Sequence, residues 1–309
     1  MDKNSIIIVL GPTAVGKTSI SIDLAKELHG EIISADSMQI YKYMDIGTAK
    51  PNMEERQGIP HHLLDILDPS EYFNVSIYKD MAEEKIKEIV TRGKIPIIVG
   101  GTGLYINSLL FPFDFTEAGV DLEYRQNLKE LALIKGKEWL YGQLKTVDPI
   151  AALKLHPNDI FRIIRALEVH HITGEPISKY YSKQQRKNGE YSASIVGLTM
   201  DRDKLYDRIE KRIDIMLKNG LVEEVKGLLE NGYSRGLISM QGLGYKEIVD
   251  YLQGRRTLKE SEYILKRDTR RFAKRQYTWF KRLKGIIWVD VGEFNNKKDL
   301  LAHVLDKLA

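Results

Sequence analysis

The chain contains no cysteine. Disulfides and thiolate-held metals are therefore excluded, and the fold must rest on its apolar core. Long hydrophobic runs are also missing. The longest, "SIIIVLG" and "IPIIVGG", are strand-sized and well below the roughly 18 residues that span a bilayer. The opening "MDKNSIIIVL" has neither a basic region nor a small-residue cleavage site, so no secretory leader is read there and a cytoplasmic location without membrane attachment is expected. Acidic residues are scarce in one late stretch. "KRDTRRFAKRQYTWFKRLK" (266–284) holds nine basic residues and one acid, a local charge block suited to an anionic macromolecule.

What is present is ordinary for a globular chain. The 309 residues are 43% hydrophobic and 29% charged, with a net charge of +4. This length fits two domains, or one core with a large insertion. The apolar, β-branched run 5–11 reads as a strand buried on both faces. A helix over 16–30 follows, with Ile20, Leu24 and Leu28 at i+4 spacing. A second buried strand is read at 31–37, a helix over 76–93 with Ile77, Met81, Ile86 and Ile89 inward, and a third strand at 94–103. This order predicts an α/β fold, a P-loop NTPase-like parallel sheet with helices on its faces. From about 115 the pattern becomes helical, until "SASIVGLTMD" (192–201) restores a strand. The helix over 202–220 turns Leu205, Ile209, Ile213 and Met216 inward, and "GIIWVDV" (285–291) is a late strand. The expected organisation is a core at 1–114 and 192–309, interrupted by a mostly helical insertion at 115–191.

"GPTAVGKT" (11–18) fits the pattern G-x-x-x-x-G-K-[ST]. Gly11, Pro12, Thr13, Ala14, Val15 and Gly16 would curl backbone N–H groups around a phosphate at a helix N-terminus. Lys17 would reach terminal phosphate oxygens, and Thr18 could ligate Mg²⁺. Hydrolysing P-loop enzymes place a metal-binding Asp at the end of a later core strand, but here that strand ends in "GGTG". Asp36, at the end of "IISAD", is the candidate carboxylate, as metal ligand or general base; a turn cap is the other reading. Thr102 follows the third strand on the same sheet edge. Its glycine neighbours either admit a ligand or simply make a turn. Arg208 and Arg212, one helical turn apart, could close over a diphosphate as lid arginines do in kinases, or form a solvated face. His61 and His62 are adjacent, and adjacent residues rarely ligate one zinc, so a structural role is expected.

Several blocks together resemble the tRNA dimethylallyltransferases (isopentenyl-tRNA transferases). These are "GPTAVGKT", "DSMQIYKYMDIGTAKP", "HHLLDI", "GGTGLYI", "NDIFRIIRALEV" with "TGEPIS", "GLGYKEI" and "RRFAKRQYTWFKR", nearly end to end and in order. The resemblance implies a P-loop core with a helical insertion that grips the tRNA anticodon stem-loop, and a requirement for Mg²⁺. It also implies transfer of a dimethylallyl group from dimethylallyl diphosphate to N6 of adenosine 37, in tRNAs reading codons that begin with U. The phosphate loop would then hold a leaving diphosphate. Asp36 resembles the family's base, and Thr102 matches a position that contacts the target base. An adenine would have to leave its stack to reach them.

By the same resemblance, Ser37, Met38 and Gln39 match an RNA-contacting strand end, and Arg125 a position near substrate. On 158–170, Ile160, Ile163, Ile164 and Leu167 form an apolar stripe. Arg162 and Arg165 face elsewhere, toward RNA phosphate or toward Asp159 and Glu168. The family usually has a polar residue at Phe161; a Phe could stack on a base there. Gly242, Gly244, Tyr245 and Lys246 could make a glycine-permitted approach of backbone to RNA, which the family match favours, or a helix-linking turn. Lys274, Arg275, Gln276, Trp279 and Lys281 combine charge with aromatic rings, the logic of single-strand recognition; a buried stripe of Phe272, Trp279 and Leu283 is the alternative. A monomer is expected. A small-molecule kinase is the rival reading, but it leaves the 36–51 block and the basic C-terminus without a task.

Overall fold

In the computed structural model, which describes residues 5–111, 119–181 and 191–308, the apolar run Ser5–Leu10 is strand β1. The other strands are β2 (Gly30–Ala35), β3 (His61–His62), β4 (Ile95–Gly100), β5 (Ser192–Thr199) and β6 (Ile286–Asp290). They form one six-stranded parallel sheet in the order β3-β2-β4-β1-β5-β6. Leu10 is level with Gly100 on one side and Gly197 on the other, and Gly100 is level with Ala35. β1, β2 and β4 therefore end level along one edge, with β5 running two residues further, and the residues just beyond them share that edge. Helices cover both faces, as parallel strands without a wet face require.

The chain divides into two compact units, Met1–Leu110 with Glu190–Ala309, and Phe111–Gly189. The first contains the sheet. The second is helical in its described residues, with a core that includes Leu128, Leu140, Leu144, Ile163, Ile164 and Leu167. The expected boundary at 114–115 lies outside the described residues. Among the described residues, no helix is long and apolar enough to cross a membrane.

One helical stripe differs from expectation, and a second takes neither extreme. Helix Val75–Thr91 buries Tyr78, Ala82, Ile86 and Ile89, while Ile77 is exposed and Met81 half-buried. Tyr78, absent from the expected stripe, is buried and stacks on Tyr105, with centroids 4.0 Å apart. Helix Leu258–Phe280 buries Leu265, Ala273, Gln276 and Phe280, leaving Phe272, Trp279 and Leu283 half-buried. Its start is fixed by a capping box between Thr257 and Glu260.

His61 and His62 form β3, and each is held structurally. His61 Nδ1 meets the Ile59 carbonyl at 2.8 Å. His62 Nε2 meets Glu31 at 2.7 Å. Glu31, buried on β2, also takes Arg92 at 2.7 Å and Lys94 at 2.9 Å. Burial acts to raise its pKa, but the hydrogen bonds from Arg92, Lys94 and His62 outweigh it and hold the carboxyl at about 2. A carboxyl depressed in the folded state stabilises above its unfolded pKa and loses that contribution as pH falls through the folded one. The midpoint of thermal unfolding should therefore drop as pH falls from about 4.5 toward about 2. Glu31→Gln should flatten that part of the profile; an unchanged slope would place the acid sensitivity elsewhere.

Candidate active site at the strand ends

The phosphate loop joins β1 to helix Lys17–Glu27. Gly11 has φ +153°, and a Cβ there would lie 2.6 Å from the Leu198 carbonyl oxygen, so the loop leaves β1 close against β5 only because position 11 is glycine. Lys17 Nζ donates to the carbonyls of Gly11 (2.9 Å) and Pro12 (2.8 Å), which pins the ammonium across the loop. Burial lowers its pKa to about 8; the Asp36 carboxylate opposes that fall and Arg212 adds to it.

A cleft of about 540 Å³ opens here, lined by Thr13, Ala14, Gly16, Lys17, Thr18, Asp36, Arg208 and Arg212 among others. The two arginines, left open between lid and solvated face by the sequence, both line it. Burial lowers the Arg212 pKa, with Asp36 opposing.

Asp36 follows β2 directly. Its Oδ1 accepts from the N–H of Met38 (2.9 Å) and of Gln39 (3.4 Å), the turn-capping role. No hydrogen bond to Oδ2 is found among the described residues. Cap and cleft-lining carboxylate are thus both features of Asp36. Thr102 sits beside it: its N–H donates to the Ala35 carbonyl (3.1 Å), and its Oγ1 accepts from the Ser37 N–H (3.1 Å).

A second cleft of about 340 Å³ shares Thr13, Ala14, Asp36, Thr48 and Arg212 with the first. It adds Ser37, Met38, Thr102, Gly242, Gly244, Lys246 and Arg275, with Ile209, Ile213, Met216, Leu243, Leu265 and Phe272 as apolar walls. A cationic pocket and a largely apolar one therefore meet at Asp36.

Three of the candidate contact residues have partners within the protein. Gln276, expected on RNA, is buried; its amide accepts from the Thr13 N–H (2.9 Å) and donates to the Gly101 carbonyl (2.9 Å). Tyr245, expected on RNA, is fully buried; its hydroxyl donates to Glu224 (2.7 Å), and its ring fills the space where a Cβ on Gly47 would come within 2.6 Å. Of the glycines of "GGTG", left open between ligand approach and turn, Gly101 and Gly103 make room for the protein's own helix Leu258–Phe280, while Gly100 lines the first cleft. A Cβ on Gly101 would meet Gln276 at 2.2 Å, and one on Gly103 would meet the half-buried Trp279 at 2.3 Å. Arg125, expected near substrate, grips the fully buried Glu168 through Nε (2.7 Å) and Nη2 (2.8 Å) inside the helical unit.

Arg165 also reaches Glu168, at 2.5 Å, whereas Arg162 is largely exposed with a 3.3 Å contact to Asp159. Phe161 is 78% exposed, with Lys129 Nζ 5.9 Å from its ring centroid. Lys274, Arg275 and Lys281 are exposed. Gln39 lines the first cleft and its amide donates to the Thr48 (3.2 Å) and Ala49 (3.4 Å) carbonyls.

No local pattern marks Glu224. Its carboxylate accepts from the N–H groups of Asp45, Ile46 and Gly47 as well as from Tyr245, holding the 45–48 loop at the cleft rim. The three backbone donors lie 177 to 179 positions from Glu224 in the chain, beyond any local pattern.

The chain matches the family model described as IPP transferase over residues 39–283. A tRNA dimethylallyltransferase of Acetivibrio thermocellus is 50% identical over 306 residues, covering 99% of this chain and 98% of that protein. Among solved structures, the tRNA isopentenylpyrophosphate transferase of Bacillus halodurans has a TM-score of 0.72 and 43% identity, covering 99% of this chain and 97% of that one. A eukaryotic dimethylallyltransferase acting on tRNA has a TM-score of 0.82 at 31% identity, covering 99% of this chain and 79% of that one. With the phosphate loop, the carboxylate between two clefts and these likenesses along its whole length, the chain belongs to the tRNA dimethylallyltransferase (IPP transferase) family.

Proposed function

We propose that this enzyme transfers a dimethylallyl group from dimethylallyl diphosphate to N6 of adenosine 37, in tRNAs reading codons that begin with U, and releases diphosphate. The observation that carries this reading is the pair of clefts meeting at Asp36. The diphosphate would occupy the first, against the N–H groups of the phosphate loop, Lys17, Arg208 and Arg212. The adenine would enter the second, beside Ser37, Met38 and Thr102. As the C–O bond to the allylic carbon breaks, its electrons pass to the diphosphate, where fixed cations offset the growing charge. The N6 lone pair forms the new C–N bond, and Asp36 Oδ2 takes the N6 proton.

Thr18 and Asp36 supply oxygen donors on the same cleft, a set suited to Mg²⁺. No group of three or more His, Cys, Asp or Glu able to hold a metal is found among the described residues. Such a sparse set fits an ion that takes its other ligands from diphosphate and water. When bound, Mg²⁺ would neutralise the leaving group.

The exposed Lys274, Arg275 and Lys281, with Lys246, would meet RNA phosphates. In the helical unit, Arg162 and Phe161 are exposed for the anticodon stem-loop. We place the enzyme in the cytoplasm as a monomer. The small-molecule kinase is not favoured, since the relatives along the whole chain are prenyltransferases.

The test is incubation with Mg²⁺, unmodified tRNA and either dimethylallyl diphosphate or ATP. Prenylated adenosine should form only with the prenyl donor. Phosphorylation of a small molecule by ATP, without prenylated tRNA, would overturn the reading.

A further inference from the structure

We propose that Gln276 is a positioning residue that sets the phosphate loop from the helix carrying the RNA-facing residues. The proposal rests on the reading of that loop as the diphosphate site. Gln276 lies on helix Leu258–Phe280, next to Arg275, which lines the cleft assigned to the base. Its side chain is buried and spans two strand ends. The Thr13 N–H beyond β1 needs an acceptor and receives Oε1; the Gly101 carbonyl beyond β4 needs a donor and receives Nε2, both at 2.9 Å. Only a neutral primary amide of this length serves both partners at once.

Thr13 lines both clefts. Its N–H is turned away to the helix, so the orientation of the Pro12–Thr13 peptide, and with it the curl of the loop toward Lys17, is set by Gln276. Position 101 has the matching shape: a Cβ there would lie 2.2 Å from Nε2, so glycine leaves the amide its berth. The clash would be with the end of a side chain, so an alanine at 101 should displace the amide and leave the strand in place.

Gln276→Met keeps length and apolar bulk and removes both hydrogen bonds. It should raise KM for dimethylallyl diphosphate about tenfold and lower kcat by about tenfold or more, as small misplacements of positioning groups do. The Kd for tRNA should stay within about twofold. Gly101→Ala should reproduce the effect. The double variant should be no worse than either single one, because both remove the same bridge. Binding of inorganic pyrophosphate with Mg²⁺, measured calorimetrically, should weaken in all three. Additive losses, or tRNA binding that weakens while pyrophosphate binding stays at the wild-type level, would overturn the proposal; the second outcome would make Gln276 an RNA contact. Wild-type protein that binds no pyrophosphate would instead overturn the diphosphate reading of the loop, and this proposal with it.

Discussion

Asp36→Asn should lower kcat about 10³-fold while leaving the Kd for tRNA within about threefold, the loss expected for removing a positioned base. Asparagine is the informative replacement. Its Oδ1 can still accept from the N–H groups of Met38 and Gln39, so the turn after β2 survives. What disappears is the negative charge and the basic oxygen at the junction of the two clefts. An exocyclic adenine amine is a poor nucleophile because its lone pair is delocalised into the ring. Taking its proton as the C–N bond forms avoids a cationic product, and asparagine cannot do so. Single-turnover measurements with saturating donor and tRNA separate this from slow product release. Turnover within tenfold of wild type would remove Asp36 from the proton transfer. Lost tRNA binding with normal turnover of the bound fraction would make it an RNA contact.

Lys17→Ala should lower kcat/KM for the prenyl donor by 10²–10³, about 3–4 kcal/mol of transition-state stabilisation, as for other preorganised donors aimed at developing charge. The ammonium lies across the loop on the carbonyls of Gly11 and Pro12, beside Asp36 and Arg212. Its neighbours Arg208 and Arg212 already supply positive charge to the cleft, so binding of the diphosphate should weaken less than kcat falls. Lys17→Arg should restore little, because a planar guanidinium cannot reproduce a compact ammonium on two adjacent carbonyls. A rise in KM alone, with kcat unchanged, would assign Lys17 to ground-state binding only.

Both residues were legible in the sequence because each sits where a strong local pattern ends. The glycines and lysine of residues 11–18 follow a buried strand, and Asp36 follows another. The same holds for the parallel sheet: continuous apolar runs alternating with helical periodicity leave few other arrangements. Structure and sequence reading differ where a side chain's neighbours lie far along the chain. Gln276 is 263 positions from Thr13 and 175 from Gly101. Beside Arg275 in a basic block it reads as an RNA contact. Tyr245 reads the same way until Glu224 and Gly47 are seen closing around it. Arg125 shows no sign of Glu168, 43 positions on.

By itself the sequence determined the phosphate loop and five of the six strands, and it marked Asp36 as the candidate carboxylate, because backbone geometry and strand-end placement are written over a few adjacent residues; the two-residue β3 is too short to leave a pattern. The tertiary structure alone decided which polar groups remain available to a ligand. Gln276, Tyr245 and Arg125 are engaged by the protein's own buried donors and acceptors, whereas Arg208 and Arg212 are turned into the cleft. The reason is that a buried polar group must find a partner within hydrogen-bond reach, and that requirement is met by whatever the fold brings near, at any separation along the chain.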